Sequence, residues 1–160
     1  MLPQVSYIAQ LYRVNAGLFD KAVGQAKPSA VSARPLDKAN SFQYVAAHIT
    51  NARYQLANLL GLPDQYPHAA LFEFGAEPKE ASAYPPLEEI RASFQDITAK
   101  LNRRLEEVTE KDLKGEPPFK MSDVEPTIGG LVALFQLHES YHVGQLAYIL
   151  RLHGGGRLLG

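Results

Sequence analysis

The chain has 160 residues, 46% of them hydrophobic and 21% charged, and a formal net charge of −1, which is typical of one globular domain with a substantial core. Because the charge is balanced and no long basic block occurs, the sequence indicates neither a nucleic-acid-binding surface nor a polybasic membrane patch. The sequence contains no cysteine, so disulfides, thiolate metal ligands and a cysteine nucleophile are excluded.

Four amphipathic segments, with apolar residues recurring near every 3.6 positions, predict four long helices. They are expected over about 3–23, 41–60, 86–108 and 126–153. Gly24 is expected to end the first helix, and Asn40 or Ser41 to cap the second, which stops at Gly61. With no strand-rich segment between them, these helices predict an all-α fold, a four-helix bundle, over a single domain covering 1–160.

The connections between these helices also carry information. The segment 62–85 is too long for a tight turn and predicts a crossover between the second and third helices. Its aromatic residues are expected to pack onto the bundle or to cover an opening: Tyr66, Phe72, Phe74 and Tyr84. The segments after Gly24 and over 110–125 are predicted to be loops.

Nothing in the sequence predicts secretion or membrane insertion. The N-terminal residues include no basic segment followed by an apolar run, and no stretch of 18 or more apolar residues occurs. A signal peptide and a membrane span are therefore not expected, and the cytoplasm is the expected location.

The most informative feature is a pair of histidines in the fourth helix. His138 and His142 are four residues apart, so their side chains stack on one helix face, in a row that continues to Leu134 and Leu146. An unpaired buried imidazole is unfavourable, and a shared metal ion would satisfy both rings. The alternative is a pair of core histidines that are hydrogen-bonded to tyrosine, glutamine or backbone.

His48, midway along the second helix, favours the metal interpretation. A third inward histidine would complete a three-histidine site that leaves coordination positions open, as in catalytic rather than structural zinc sites. Imidazole ligands suit zinc, nickel, copper and iron, so the ligands alone do not identify the ion. His68, in a proline-flanked loop, and His153, at a helix C-terminus, are weaker candidates.

Several neighbours are candidate partners or pocket walls. Gln145, one turn after His142, could hydrogen-bond a ligand, and Tyr44, Asn51 and Tyr141 could line the site. Gly144 costs its helix about 1 kcal/mol relative to alanine, and a close approach of another helix is the simplest reason for it.

The segment 138–142 also matches the H-E-x-x-H pattern of zinc proteases, in which the glutamate is the general base. In this interpretation Glu139 would polarise a metal-bound water. The sequence has no matching downstream ligand and no predicted β-sheet to form a cleft, so a helix-surface or neighbouring-helix contact is the alternative role for Glu139.

The histidine pattern resembles that of the DinB-like (DinB/YfiT) superfamily of bacterial four-helix metal-binding proteins. The resemblance spans nearly the whole chain and depends on the upstream His48, on His138-x-x-x-His142-x-Gly144-Gln145, and on a closing Leu152-His153-Gly154. Val143 stands where the family often has arginine, so a contact made by that arginine is not expected here.

This resemblance implies a bundle with a crossover, often a homodimer, and a zinc or nickel ion on His48, His138 and His142. Some relatives are thiol-dependent enzymes: bacillithiol S-transferases and mycothiol-dependent maleylpyruvate isomerase. We therefore expect one divalent metal ion and a metal-dependent enzyme, a thiol S-transferase or a hydrolase-like relative, acting on a small-molecule thiol and an electrophilic substrate. The alternative is a non-catalytic metal-binding or stress-related dimeric helical protein.

Overall fold

The computed structural model describes residues 1–36, 39–73, 75–77 and 79–160, and within these residues it is helical without strands. Its α-helices are α1 (Pro3–Gln25), α2 (Pro28–Val31), α3 (Phe42–Leu59), α4 (Leu87–Glu107), α5 (Glu110–Leu113) and α6 (Ile128–Leu152). Short 3₁₀ segments occur at Ala69–Phe72 and Ala81–Ala83. The all-α prediction and the four long helices are confirmed.

The helix ends follow local chemistry. Ser41 caps α3 by accepting a hydrogen bond from the backbone N–H of Tyr44, and Thr127 caps α6 in the same way through Gly130. Gly24 does not end α1, which continues one residue further to Gln25.

Two short helices interrupt segments that were predicted to be loops. In α5, Thr109 and Asp112 form a reciprocal capping box, which satisfies free N–H groups at both ends of the first turn. In α2, Pro28 occupies the first helical position, where its missing N–H removes no helix hydrogen bond. Both helices have four residues, too few to give the periodic pattern that identifies a helix in a sequence.

The long helices run in the order up, down, down, up. The helices α3 and α4 are parallel, because Gln43 near the start of α3 donates to the carbonyl of Pro85, while Arg104 near the end of α4 donates to that of Leu60. The helices α1 and α6 are also parallel neighbours, since Tyr12 donates to the carbonyl of Val132 and, further along both helices, Asn15 donates to the hydroxyl of Ser140. The site described below lies between α3 and α6, which pack against each other in opposite directions.

The segment between α3 and α4 is the predicted crossover. Because both helices run the same way, the chain must return along the length of the bundle between Leu60 and Leu87. Tyr66 and Tyr84 are buried along this path, and Phe72 packs against α3. Phe74, the remaining aromatic residue of the prediction, lies outside the described residues.

The core has two apolar ends and a polar middle. One apolar cluster includes Phe19, Ile49 and Val143, and the other includes Tyr12, Leu56 and Val132. Between these positions along the helices lie most of the buried polar side chains: Asn15, Thr50, Asn51, Arg53, Glu139 and His142. The fold thus concentrates buried polar groups in the middle of the bundle. Among the described residues, no helix is both long and apolar enough to cross a lipid bilayer.

Candidate metal centre

His48, His138 and His142 come together between α3 and α6, as the sequence predicts. The Nε2 atom of His138 lies 3.0 Å from Nε2 of His48 and 3.1 Å from Nε2 of His142. Potential ligand atoms of the three rings all lie within 4.8 Å of one another, and they are the group of three in the described chain that could hold an ion. Two nitrogens bound to one zinc ion at about 2.1 Å can be no more than about 4.2 Å apart, so both short distances fit a shared ion.

Hydrogen bonds among the rings do not satisfy these nitrogens. A neutral Nε2 atom has either one N–H or one lone pair, so Nε2 of His138 can make only one ordinary hydrogen bond with its two neighbours. The Nδ1 atoms of His48 and His138 are also buried without a hydrogen-bond partner among the described residues, and an ion bound at Nε2 would not change that. A cation among the three Nε2 atoms would use all three lone pairs at once, which favours a metal site over three ordinary core histidines.

Gln145 fixes the orientation of one ring. Its side-chain oxygen Oε1 lies 2.7 Å from Nδ1 of His142, one turn earlier on α6. Because an amide oxygen can only accept, Nδ1 of His142 is the protonated nitrogen, and Nε2 presents its lone pair to the site. Gln145 therefore has the partner role that the sequence predicts.

The surroundings keep the imidazoles neutral. Burial, together with the repulsion between the rings, lowers the pKa of His48 to about 3. The same two causes lower the pKa of His138 to about 4. Burial also lowers the pKa of His142, although its hydrogen bond to Gln145 opposes the change. All three lone pairs are therefore free of protons at neutral pH, as metal binding requires.

Aromatic side chains surround the triad. The ring of Tyr44 lies parallel to that of His48 with centroids 5.5 Å apart, and Phe72 from the crossover lies 5.8 Å from the same imidazole. Tyr141 packs edge-on against His142 at 5.1 Å. Tyr44 and Tyr141 thus contact the ligand candidates as expected, whereas Asn51 is buried on α3 and takes no part in the hydrogen bonds of the three imidazoles.

The other two histidines do not join this group. His68 lies beside Glu89 and forms an ion pair with it when protonated, and His153 is the residue that follows α6. Neither is part of the three-residue cluster.

Glu139 does not serve the triad, which corrects its interpretation as a general base. Both of its carboxylate oxygens accept hydrogen bonds from Arg53, at 2.6 and 2.8 Å. Both side chains are almost fully buried, with 3% and 1% exposed. A carboxylate held in a two-point ion pair in the core cannot also polarise a water at the imidazoles, and Glu139 makes the neighbouring-helix contact instead.

Arg53 is the residue that sequence reasoning missed. Its guanidinium also donates to the backbone carbonyl of Tyr12 on α1 and to the hydroxyl of Thr98 on α4, and it stacks over the ring of Phe94 at 4.4 Å. One side chain thus joins all four long helices immediately beside the triad. The signal in the sequence is a charged residue between Ile49 and Leu56, on the inward face of an otherwise apolar helix.

Gly144 also differs from the expectation. A Cβ atom added at this position would have no atom of the described chain within 4 Å, so no helix of the same chain approaches it. The position is exposed on the outer side of α6.

A pocket of about 190 Å³ opens beside the triad. Its lining combines two of the imidazoles with the side of α6 that precedes them and with the loop after α5: His48, Gln55, Phe119, Met121, Leu134, Phe135 and His138. A small molecule can therefore reach the imidazoles of His48 and His138.

Comparisons with known proteins concern the fold and the family of the chain. The chain is similar in structure to a DinB-like protein, YjoA, from Bacillus subtilis, with a TM-score of 0.68 and 21% identity over 97% of each chain, and this likeness extends to the fold alone. None of the curated proteins matches the chain. The model of the DinB superfamily matches residues 11–146, which is most of the sequence, and the chain therefore belongs to the DinB superfamily.

Proposed function

We propose that this protein binds one divalent metal ion through the Nε2 atoms of His48, His138 and His142, and that it is a metal-dependent enzyme of the thiol S-transferase or hydrolase-like type. The observation that carries the proposal is the convergence of three neutral imidazoles whose facing Nε2 atoms cannot all be satisfied by hydrogen bonds to one another. Zinc and nickel are the ions we propose, because both accept imidazole ligands.

Each residue of the site has a separate task. His138 and His142 present two donors from adjacent turns of α6, and His48 presents the third from the antiparallel helix. Gln145 holds His142 in the tautomer that can donate its lone pair. Tyr44 and Phe72 cover His48 and limit the access of water. When bound, a divalent ion at this site supplies a Lewis acid that lowers the pKa of a coordinated thiol or water.

The pocket beside the triad favours an enzyme over a non-catalytic metal-binding protein. A structural three-histidine site would be closed by a fourth protein ligand, and no Asp, Glu or Cys side chain joins the three histidines within the described residues. Instead, two of the candidate ligands line an open pocket, so a ligand from solution can reach the remaining coordination positions.

The first test is the metal content of untagged protein, measured by plasma mass spectrometry beside a His138→Ala/His142→Ala variant. We expect about one equivalent of zinc or nickel in the parent protein and none in the variant. Metal-loaded protein is then assayed for transfer of small-molecule thiols to electrophiles. If the parent protein neither contains metal nor takes it up from a loaded buffer, and its melting behaviour is unchanged, the proposal is wrong.

We also propose that the protein is a homodimer that uses the outer faces of α1 and α6. Both faces carry exposed large apolar residues at helical spacing, and these are Tyr7, Leu11 and Val14 on α1 and Leu137, Tyr141, Tyr148 and Leu152 on α6. Val14 and Gly144 line the groove between the two helices, with Arg151 and Arg157 also among its lining residues. Before Arg151, α6 has no lysine or arginine, and its one acidic residue, Glu139, is buried. Two helices about 35 Å long and 10 Å wide present roughly 700 Å², close to the roughly 800 Å² per partner of a stable interface.

The part of this face that α6 forms before Arg151 has no exposed acidic, lysine or arginine side chain, so it can meet a second copy of itself without like-charge repulsion, which is why we choose this occupant. Tyr148→Glu is expected to convert a dimer to a monomer in sedimentation experiments. Ala99→Glu introduces the same charge at an exposed residue of α4, outside the groove between α1 and α6, and this control should leave the dimer intact. A monomeric parent protein would contradict the dimer without affecting the metal proposal.

A further inference from the structure

The pocket beside the triad has a definite position relative to the metal ligands. Leu134 and Phe135 are four and three residues before His138, so they lie one turn away on the same side of α6. Gln55 is two turns after His48 on α3. Phe119 and Met121 come from the loop between α5 and α6 and complete the wall.

The chemistry of the wall is almost entirely apolar. Apart from the two imidazoles, the amide of Gln55 is the sole polar side chain among the lining residues, and none of them is acidic or basic. Away from the ion, the wall offers a charged substituent no partner of opposite charge in return for its lost hydration, and such a transfer is strongly unfavourable. The pocket therefore selects uncharged ligands.

The loop residues at the mouth add to this selection. Phe119 and Met121 are 45% and 49% exposed, which leaves large apolar surfaces in contact with water beside the opening. Exposed apolar residues that cluster around a concave site are typical of ligand binding, because a ligand covers them. An apolar ligand would bury surface on both residues as it enters.

The volume limits the size of the ligand. At about 190 Å³ the pocket is smaller than the roughly 300–1,000 Å³ of sites that hold drug-sized molecules. Apolar cavities of about 150 Å³ hold one benzene molecule. The space beside His48 and His138 therefore fits one aromatic ring or a short alkyl chain.

We propose that this pocket binds the compact, uncharged apolar substituent of a ligand whose donor atom, such as a thiol sulfur, occupies the metal at the triad. The inference rests on the proposed metal site and adds the class of ligand that the site accepts. Specificity comes from Leu134, Phe135, Phe119 and Met121, which contact the substituent, while the three histidines hold the metal.

The test uses protein loaded with Co²⁺, whose visible absorption spectrum changes when a thiolate binds. Benzyl mercaptan and 2-mercaptoethanesulfonate present the same donor atom with an apolar and a charged substituent, and the sulfonate is a poor metal ligand, so both bind the ion through sulfur. Because each buried methylene raises affinity about fourfold, we expect benzyl mercaptan to bind at least about tenfold more tightly. Equal affinity for the two thiols would overturn the inference and leave the metal proposal intact.

A pair of variants tests whether this pocket causes the preference for the apolar thiol. Met121→Lys places a cation at the mouth of the pocket and should reduce the preference for benzyl mercaptan at least about tenfold, since the cation favours the sulfonate and is itself desolvated by an apolar ligand. Leu36→Lys introduces the same charge at an exposed loop residue outside the pocket and should leave the preference unchanged. An unchanged preference in Met121→Lys would contradict the assignment of the pocket. Absence of any cobalt spectrum would overturn the metal proposal, and this inference with it.

Discussion

Two polar clusters lie side by side between α3 and α6, and they differ in how their polar atoms are satisfied. In the first, Arg53 and Glu139 pair through two hydrogen bonds, and Arg53 has further partners on α1 and α4. In the second, Nε2 of His138 faces Nε2 of both His48 and His142 but can make an ordinary hydrogen bond to only one of them. The first cluster is complete within the chain, whereas the second requires something that the chain does not supply.

This difference distinguishes two kinds of buried polar group in one core: those that hold helices in place and those that are available to bind a ligand. A buried ion pair gains little net stability, because the loss of hydration of both charges offsets their attraction, but it tolerates only one relative position of its helices. The pair of Arg53 and Glu139 therefore fixes the register of the two helices that carry the histidines. The triad, held in that register, keeps its lone pairs available for a ligand.

Breaking the ion pair is expected to have the largest effect. Glu139→Leu leaves the guanidinium of Arg53 buried without its counter-charge, and we expect the free energy of unfolding to fall by about 3–5 kcal/mol. The double variant Arg53→Met/Glu139→Leu removes both charges and should recover most of this loss. Chemical denaturation measures both effects, and a double variant less stable than the single one would contradict this account.

Metal binding at the triad is expected to have the next largest effect on the free energy of unfolding. A metal ion at about 100 times its Kd stabilises the folded state by about 2.7 kcal/mol, because it binds that state alone. Thermal unfolding with and without zinc should show this gain in the parent protein and its loss in His138→Ala. Metal stabilisation that survives in His138→Ala would place the ion elsewhere.

Removing the hydrogen bond that Gln145 makes to His142 tests how much this partner contributes to metal affinity. Gln145→Leu releases Nδ1 of His142, and we expect metal affinity to fall about 10–100-fold while the stability of the metal-free protein changes little. A competition titration with a metal indicator measures the affinity. Gln136→Leu, at a glutamine of α6 that bonds Ser140 rather than a histidine, is the matched control and should retain full affinity.

The metal-free triad should also make stability depend on pH. The folded pKa values of His48 and His138, about 3 and about 4, lie below the value of about 6.5 in an unfolded chain. Between these values the unfolded chain binds protons that the folded chain excludes, so the free energy of unfolding falls as pH decreases below 6.5 toward 4. The slope is at most about 1.4 kcal/mol per pH unit for each histidine.

Denaturation of metal-free protein at pH 7 and at pH 5 measures this slope. His48→Gln removes one of the three imidazoles whose pKa is lowered and should make the dependence shallower, and an identical slope in this variant would show that other groups cause it.

The smallest expected effect concerns Gly144. Because a Cβ atom meets nothing within the described chain, Gly144→Ala should stabilise the helix of an isolated subunit by about 1 kcal/mol. If α6 approaches a second copy at this glycine, the same change weakens the dimer. Sedimentation and thermal unfolding of Gly144→Ala together distinguish these effects. An unchanged dimer would show that the two copies contact each other elsewhere on the outer faces of α1 and α6.

The sequence predicts the fold well because a helix is a local structure. The apolar period, the cap at Ser41 and the prolines are all readable within a few residues of the elements they define. The triad is nearly as easy to predict from the sequence, since His138 and His142 are spaced by one turn and His48 lies on the inward face of its own helix. Metal binding itself stays a prediction, as do the ion and the reaction.

The features that the sequence did not predict depend on contacts between distant residues. Arg53 and Glu139 are 86 positions apart, and nothing local to Glu139 indicates that its partner is an arginine on another helix rather than a metal-bound water. The local H-E-x-x-H pattern suggested the wrong role because it describes one helix only. In the same way, the outward position of Gly144 follows from how α6 packs, which its own sequence does not specify.

The separation of the ligands along the chain also affects how the site assembles. His138 and His142 can meet as soon as α6 forms, but His48 is 90 residues away from His138, so the third ligand arrives only when the distant helices have packed. An ion held by all three histidines is therefore a cross-link that closes a loop of most of the chain, including the crossover. Such a cross-link holds the two halves of the bundle together even when the backbone of the crossover is cut by a protease.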